Sequence, residues 1–289
     1  MSLCRTLLFR WILCSVLRPA GLSIAMLAGM LTAQAQAQGK LEARYDVTLA
    51  GILVGTGAWA VDILDNQYSA AASGGATGLL KALAHGTGTG SSQGRIANGA
   101  LIPASYTATI SSSKKSETIR MSLAGGNVKG FVIEPSPPVD PKRIPVTDAH
   151  KRGVSDPMSA TLLPVPGTAD LLGRDACHSS TGIFDGRMRY DLRLEFKRMD
   201  TVKSEKGYQG PVVVCAIYFS PIAGYVPDRY AIKYLAAQRN MEVWLAPIAG
   251  TRVLVPYRLT IPTPLGTGKL EATEFNTIAM PPQTAVKTR

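Results

Sequence analysis

Histidine is scarce in this chain of 289 residues, and its three occurrences, His85, His150 and His178, lie far apart. Their spacing matches no zinc-binding pattern. His178 is next to Cys177, but Cys177 cannot bind a metal ion if it forms a disulfide. We therefore expect neither a metal ion nor another cofactor.

Long apolar runs are also few. The run from Leu22 to Leu31 is shorter than the ~20 residues that a membrane-spanning helix needs, and no later run approaches that length. Three arginines precede it, and overlapping A-x-A motifs that end at Ala37 follow it, a combination typical of a secretory signal peptide. The sequence therefore predicts a signal peptide over residues 1–37, cleavage near Ala37, and a periplasmic protein that does not span the membrane.

Only two cysteines remain after this cleavage, because Cys4 and Cys14 leave with the signal peptide. An exported protein that keeps an even pair of cysteines usually joins them, so we predict a disulfide between Cys177 and Cys215. The alternative is that Cys215, in an apolar segment, is a small core residue with a free thiol.

The chain is basic, with a formal net charge of +11, and it stays basic after the loss of the three arginines of the signal peptide. For an exported protein this charge indicates anionic lipid headgroups or cell-wall polymer as contacts rather than nucleic acid. The simpler interpretation is that the positive charge serves only to keep the protein soluble. The candidate anionic contacts lie in a proline-rich surface loop, Glu134 to Gly153, and are Lys142, Arg143, Lys151 and Arg152.

Alternation of apolar and charged residues from Arg187 to Arg198 is the clearest structural signal, since a strand places one set on each face. A continuous apolar run, Val212 to Phe219, predicts a strand that is covered on both faces. Similar strand patterns occur at Thr118 to Leu123, Met241 to Leu245 and Val253 to Ile261. Turn signals separate these segments, which favours an antiparallel all-β protein.

We expect one or two short helices to pack against this sheet. Asp156 can cap one that begins at Pro157, and Leu79, Leu80 and Leu83 share a face of the other. The predicted fold class is therefore mainly β, a strongly curved antiparallel sheet, either an open barrel or a β-spiral. A single domain would span residues 38–280, and the tail, 281–289, would fray.

An apolar ligand or a packing contact could use the leucines of that second helix together with tyrosines from a strand connection. The candidate residues are Leu79, Leu80, Leu83, Tyr218, Tyr225 and Tyr230.

The disulfide conflicts with a tight turn at Asp185-Gly186. Such a turn would place Cys177 and Cys215 two strands apart, about 9.5 Å, which exceeds the ~7 Å limit between Cα atoms. We therefore expect a bend or bulge at Asp185-Gly186, with the segment around Cys177 outside the regular ladder.

One catalytic motif occurs, because Gly90 to Gly94 fits the G-x-S-x-G pattern around Ser92. A serine nucleophile of this kind needs a strand before it and a helix after it, whereas the sequence here favours a continuous strand of small residues that lets another segment pack close. A group of aspartates, Asp170, Asp175, Asp185 and Asp191, fits turn or solvated roles better than acid–base catalysis.

Several segments resemble a known family when they are taken in order. They are Tyr45-Asp46-Val47 with Gly55, Phe184-Asp185-Gly186-Arg187 before Arg189-Tyr190-Asp191-Leu192, Cys215 to Tyr225, and Pro256-Tyr257-Arg258 before Thr263 and Gly266. Together they resemble the exported proteobacterial proteins of the domain-of-unknown-function family 3108. The resemblance implies a periplasmic antiparallel β protein, similar in shape to lipoprotein carriers and to proteins of envelope integrity. It implies no catalytic residue, and a shared fold does not establish function.

The leading functional expectation is a non-enzymatic periplasmic protein that supports the cell envelope and holds a lipid or another apolar ligand. One alternative is a scaffold that binds another periplasmic protein. A serine hydrolase centred on Ser92 is the remaining alternative.

Overall fold

The computed structural model describes residues 38–78, 86–168 and 170–281. Three predictions lie outside these ranges: the signal peptide over 1–37, the helical face of Leu79, Leu80 and Leu83, and the frayed tail beyond Pro281.

The described part of the chain contains fifteen strands. They are β1 (Gln38–Leu49), β2 (Ile52–Ile63), β3 (Gln67–Ala76), β4 (Gly86–Ala97), β5 (Ala100–Ser112), β6 (Ser116–Ala124), β7 (Asn127–Glu134), β8 (Leu163–Pro164), β9 (Ser179–Phe184), β10 (Arg189–Lys203), β11 (Lys206–Gly207), β12 (Gln209–Ala223), β13 (Met241–Pro247), β14 (Val253–Thr263) and β15 (Gly266–Met280).

These strands form a single sheet that is almost entirely antiparallel, in the order β7-β6-β5-β4-β3-β2-β1-β15-β14-β13-β12-β10-β9. The two-residue strands β8 and β11 pair with β14 and β15 beside this path, and β11 is parallel. The predicted mainly β, antiparallel fold is thus confirmed. The sheet is open, because its edge strands β7 and β9 are not paired with each other.

Strong curvature nevertheless brings the two edges together. The rings of Phe131 on β7 and Phe184 on β9 meet edge to face with centroids 5.2 Å apart, and Arg187 forms an ion pair with Glu117 on β6. The segment of residues 152–166, here called the strap, lies between the two edges. Its Arg152 forms a β-bridge with Asn127 of β7, and its Ser155 forms one with Ile183 of β9.

The main core lies on the inner face of the sheet, under the strap. Leu41, Val61, Ala70 and Ser92 occupy successive strands and are paired in register, so their side chains share one row of that face. All four are buried. Leu162 of the strap is part of the same apolar cluster, so the chain itself fills the inner face.

Strands β12 to β14 are covered on both faces, and for β12 the apolar run from Val212 to Phe219 predicts this. Val212, Val213, Val214 and Cys215 are all fully buried, although neighbours along a strand point to opposite faces. Val212 and Val214 join the main core, whereas Val213 and Cys215 join a second cluster with Val165 and Leu245.

The disulfide between Cys177 and Cys215 is present, with 5.5 Å between its Cα atoms and 38 residues between its cysteines. The bend expected at Asp185-Gly186 is wrong, because Asp185 N donates to Met188 O and β9 and β10 form a tight hairpin. Instead β9 begins only at Ser179, and a 3-10 turn, Arg174–Cys177, carries Cys177 out of the ladder and over β10. The second half of the expectation, a Cys177 segment outside the ladder, is thus confirmed.

Helical structure differs from the prediction. The helix expected after Asp156 is a single 3-10 turn, Ser159–Thr161, and another 3-10 turn, Ala149–Lys151, lies in the proline-rich loop. An α-helix that the sequence analysis missed, α1 (Tyr230–Ala237), lies in the tyrosine-rich connection between β12 and β13. Among the described residues, none of the helices has the length and apolar character needed to cross a bilayer.

Candidate functional site

A buried polar cluster lies where the strap crosses β3 and β4. Its centre is Asp156, whose side chain is fully buried. Oδ1 of Asp156 accepts hydrogen bonds from the main-chain amides of Met158 and Ser159, both at 2.9 Å, and Oδ2 accepts one from the Ser92 hydroxyl at 3.0 Å. Asp156 thus holds the amides of a turn, but the helix that it was predicted to cap from Pro157 does not form, and Met158 is the N-cap of the 3-10 turn Ser159–Thr161. The same carboxylate also fastens the strap to β4.

Three hydroxyl groups continue from this carboxylate. Ser92 Oγ lies 2.7 Å from Ser159 Oγ, which lies 2.7 Å from the hydroxyl of Tyr68. When Asp156 is ionised, each hydroxyl in the series Tyr68, Ser159, Ser92 can donate to the next, and the last donates to the carboxylate. The four side chains thus form a continuous hydrogen-bonded chain in the core, which rigidifies the strap against the sheet.

Burial shifts the proton affinity of this cluster. Desolvation raises the pKa of Asp156 above its ordinary value, although the hydrogen bonds from Ser159, Ser92 and Met158 oppose the shift. Desolvation also raises the pKa of Tyr68 and that of Tyr106 to about 12, with the charge of Asp156 adding to both. A second buried carboxyl, Asp185, likewise has its pKa raised by desolvation.

The strap can approach β4 this closely because the facing side chains are small. A Cβ atom added to Gly90 would lie 3.0 Å from the Met158 methyl group of the strap. One added to Gly94 would instead collide with the main-chain oxygen of Ile102 on β5 and with the Tyr68 ring on β3. The prediction that this strand of small residues lets another segment pack close is confirmed, and the strap is that segment.

A half-open cleft of 560 Å³, here called the strap cleft, adjoins the cluster. One wall is the strap from Ser155 to Pro166, another is the β4–β5 hairpin at Leu101, and the third is β9 with the turn before it. Nine of the fifteen lining residues are apolar, while the polar ones include Ser159, His178 and Thr181. An apolar cleft with a few polar groups beside groups of shifted pKa is the usual form of a small-molecule site.

A second cleft, here called the edge cleft, has a volume of 620 Å³ and lies between β7 and the proline-rich loop. Phe131, Val132 and Ile133 line it from the strand, and Pro137, Pro138 and Val139 line it from the loop. It lies at the end of the edge where the strap does not reach β7.

Ser92 does not have the surroundings of a hydrolytic nucleophile. It lies within β4, with strand on both sides rather than a strand–turn–helix, and only 1% of it is exposed. The main-chain oxygen of Ser105, 3.1 Å away, is an alternative acceptor for its single hydroxyl proton. These contacts give Ser92 a structural role in the polar cluster.

The tyrosines of the candidate apolar surface have separate surroundings. The Tyr218 ring lies between the guanidinium groups of Arg193 and Arg239, at 4.2 and 6.0 Å from its centroid. Tyr230 is 66% exposed on α1 and packs against Tyr234. Tyr225 O accepts a hydrogen bond from Ile144 N, which ties the proline-rich loop to the end of β12.

The predicted anionic contacts fall into two pairs along the proline-rich loop. Lys142 is exposed, and Arg143 lines the edge cleft while its guanidinium donates to Gly224 O. Lys151 is paired with Asp148 at 2.7 Å, and Arg152 is exposed at the start of the strap.

The aspartate group has the turn and solvated roles that the sequence favours. Asp170 and Asp185 accept main-chain hydrogen bonds within turns, Asp191 pairs with Arg189 at 2.5 Å, and Asp175 is exposed at the strap cleft. In the described ranges, no three histidine, cysteine or acidic side chains form a group that could hold a metal ion.

Comparisons with known proteins give a family and two distant structural likenesses. The family model described as "Protein of unknown function (DUF3108)" matches residues 44–273. The chain is similar to a beta-barrel-like protein of domain of unknown function DUF1849 from Brucella abortus, at 9% identity over 84% of this chain and 99% of that one, with a TM-score of 0.43. It is also similar to a candidate lipoprotein from Parabacteroides distasonis, at 11% identity over 84% and 97% of the two chains, with a TM-score of 0.30. No curated protein matches the sequence.

Proposed function

This chain belongs to the DUF3108 family, and from that premise we propose that it is a non-enzymatic periplasmic protein of the cell envelope that holds an apolar molecule in the strap cleft. The ligand class is a lipid-like molecule with an apolar body and one polar end. The apolar body would lie against the leucine and proline side chains of the strap, and the polar end would reach the hydroxyl group of Thr181.

The observation that carries this proposal is the strap cleft itself. Its 560 Å³ falls within the roughly 300–1,000 Å³ typical of small-molecule sites. The hydrogen-bonded chain from Asp156 to Tyr68 supports the wall that contains Ser159, so the cleft is held open by a rigid part of the core. A preformed cleft binds with a smaller ordering cost than one that must be created.

One observation supports an exported protein. The disulfide between Cys177 and Cys215 is of the kind that persists in oxidising compartments.

Binding of a dansyl-labelled undecanoic acid, followed by its fluorescence, tests the ligand site. Thr181 and Ser180 are neighbours on β9, but only Thr181 lines the strap cleft, while Ser180 is exposed. We expect Thr181→Trp to weaken binding about tenfold or more, because excluding two methylenes of the probe forfeits about 1.6 kcal/mol. The matched variant Ser180→Trp should bind like the unaltered protein.

Saturable binding that both variants leave unchanged would place the ligand elsewhere on the protein. Absence of binding to the unaltered protein would contradict the proposal for this class of ligand.

A further inference from the structure

The edge cleft presents a sheet edge that lacks a neighbouring strand. In an antiparallel sheet, every second residue of an edge strand directs its main-chain N–H and C=O groups away from its partner. At the start of β7 the chain itself uses these groups, because Asn127 pairs with Arg152 in the antiparallel sense and Val154 N donates to Gly126 O. Along the rest of β7, the described main-chain pairings involve β6 alone.

The proline-rich loop lies beside this edge but cannot complete the ladder. Pro137, Pro138 and Pro141 line the cleft and have no N–H group to donate. Two hydrogen bonds between Ile144 and residues 224–225 fasten the loop to the end of β12 instead. An open channel therefore remains between β7 and the loop, with main-chain groups on one side and apolar rings on the other.

Apolar side chains are exposed along this channel. Phe131 is 39% exposed, Val132 48% and Val139 95%. A protein usually protects an unpaired edge with charges or by covering it. Here the exposed apolar residues accompany the edge, a combination that suits an added strand with apolar side chains.

The charge around the channel specifies the partner further. Lys129 and Lys142 are exposed near its rim, and Arg152 is exposed where the strap leaves β7. The acidic groups nearby are Glu134 on β7, Asp140 in the cleft lining, Asp148 and Asp228. Glu134, Asp148 and Asp228 already pair with Arg120, Lys151 and Lys233, so the unpaired charge at the rim is mainly positive. A second copy of this basic chain would bring like charges together at the edge, whereas an acidic segment would be attracted.

We propose that β7 is a docking edge to which another protein adds an extended apolar strand flanked by acidic residues. The strand would enter the edge cleft and pair with the free main-chain groups of Val128 to Glu134. Pairing of this kind gives affinity through main-chain hydrogen bonds, and the apolar rings of the cleft select alternate side chains. This site is separate from the strap cleft and does not depend on the ligand proposed there.

The experiment uses the whole mature protein and an acetylated peptide probe with alternating valine and threonine between acidic ends. Binding is measured by calorimetry, and the site is located by hydrogen exchange. We expect saturable binding that protects those amides of Val128 to Glu134 that do not face β6, and a loss of about tenfold or more when alternate peptide amides are N-methylated. Lys142→Glu should weaken binding about two- to fivefold, while Lys203→Glu on β10 should leave it unchanged.

Equal binding of the N-methylated peptide would overturn the proposal, because apolar contact alone would then explain the affinity. Protection outside β7 would overturn it as well. Concentration-dependent dimerisation in sedimentation, with protection of β7 in the absence of peptide, would show that the occupant is a second copy and would also contradict it.

Discussion

Replacement of Asp156 tests whether the polar cluster holds the strap on the sheet. Asp156→Ala removes the acceptor of two buried main-chain amides and of the Ser92 hydroxyl. Ser92 keeps the Ser105 carbonyl as an acceptor, but the amides of Met158 and Ser159 lose their carboxylate partner. A buried donor left without a partner costs about 1–3 kcal/mol, so the two amides predict a loss of about 2–6 kcal/mol in the free energy of unfolding.

Asp156→Asn is the matched variant. Its side-chain oxygen can still accept from both amides, and its NH2 group can donate to Ser92 Oγ. We expect this variant to lose about 1 kcal/mol. The free energy of unfolding from urea titrations separates the two variants. Similar losses for Ala and Asn, or a loss below about 0.5 kcal/mol for Ala, would refute the reasoning.

The difference in unfolding free energy between the unaltered protein and Asp156→Asn should depend on pH in one direction. Because burial raises the pKa of Asp156 in the folded state above its ordinary 3.8, the folded state binds the proton more tightly than the unfolded state. The protonated Asp156 side chain therefore adds to the free energy of unfolding in full below pH ~4. This addition is lost as the pH rises through the raised pKa of Asp156. Asp185, whose pKa is also raised, gives the same slope in both proteins, so the difference between the unaltered protein and Asp156→Asn isolates Asp156. That difference should shrink as the pH rises, and growth with pH would contradict the account.

Three further predictions concern the disulfide, the packing at Gly94 and export of the protein. Joint replacement of Cys177 and Cys215 by alanine should lower the free energy of unfolding by about 4 kcal/mol, because the disulfide closes a loop of 38 residues; a loss below about 1 kcal/mol would show that the ladder alone holds this region. Gly94→Ala should cost about 1–3 kcal/mol in thermal or urea unfolding, since its Cβ would collide with the Ile102 main-chain oxygen and the Tyr68 ring, whereas Gly130→Ala should be almost neutral; equal effects would contradict the close packing at Gly94. Mass spectrometry of the protein from the periplasmic fraction should give an amino terminus at Gln38, and recovery of the uncut chain from the cytosol would refute export.

The strands could be predicted from the alternation of apolar and polar residues, because the faces of a strand depend on residues that are neighbours in the sequence. From Leu192 to Lys197, β10 shows the expected alternation, with Leu194 buried and Arg193, Glu195 and Lys197 exposed. The disulfide followed equally from composition and compartment. The bend expected at Asp185-Gly186 depends on extending the strand back to Cys177, whereas the strand begins only at Ser179 and the 3-10 turn before it resolves the distance conflict.

The candidate site could not be found in this way, since its parts are distant in the sequence. Ser92 and Asp156 are 64 residues apart, and each has an ordinary local role, Ser92 in a strand of small residues and Asp156 as the acceptor of two turn amides. Only the curvature of the sheet places the strap over β4. One signal was present, because the glycines at 90 and 94 flank Ser92 on the same strand face and indicate a close neighbour. Helix α1 was missed because Pro227 and the tyrosines around it favoured a loop.

Photo-crosslinking with a palmitic acid that bears a diazirine tests the central claim, binding of an apolar ligand in the strap cleft, most directly. After irradiation and digestion, mass spectrometry locates the labelled residues. The account predicts saturable labelling within residues 155–166 and 175–181, which Thr181→Trp reduces about tenfold or more at subsaturating probe and Ser180→Trp leaves unchanged. Labelling concentrated at Tyr218 to Tyr230, or labelling that excess unlabelled palmitic acid does not reduce, would contradict it.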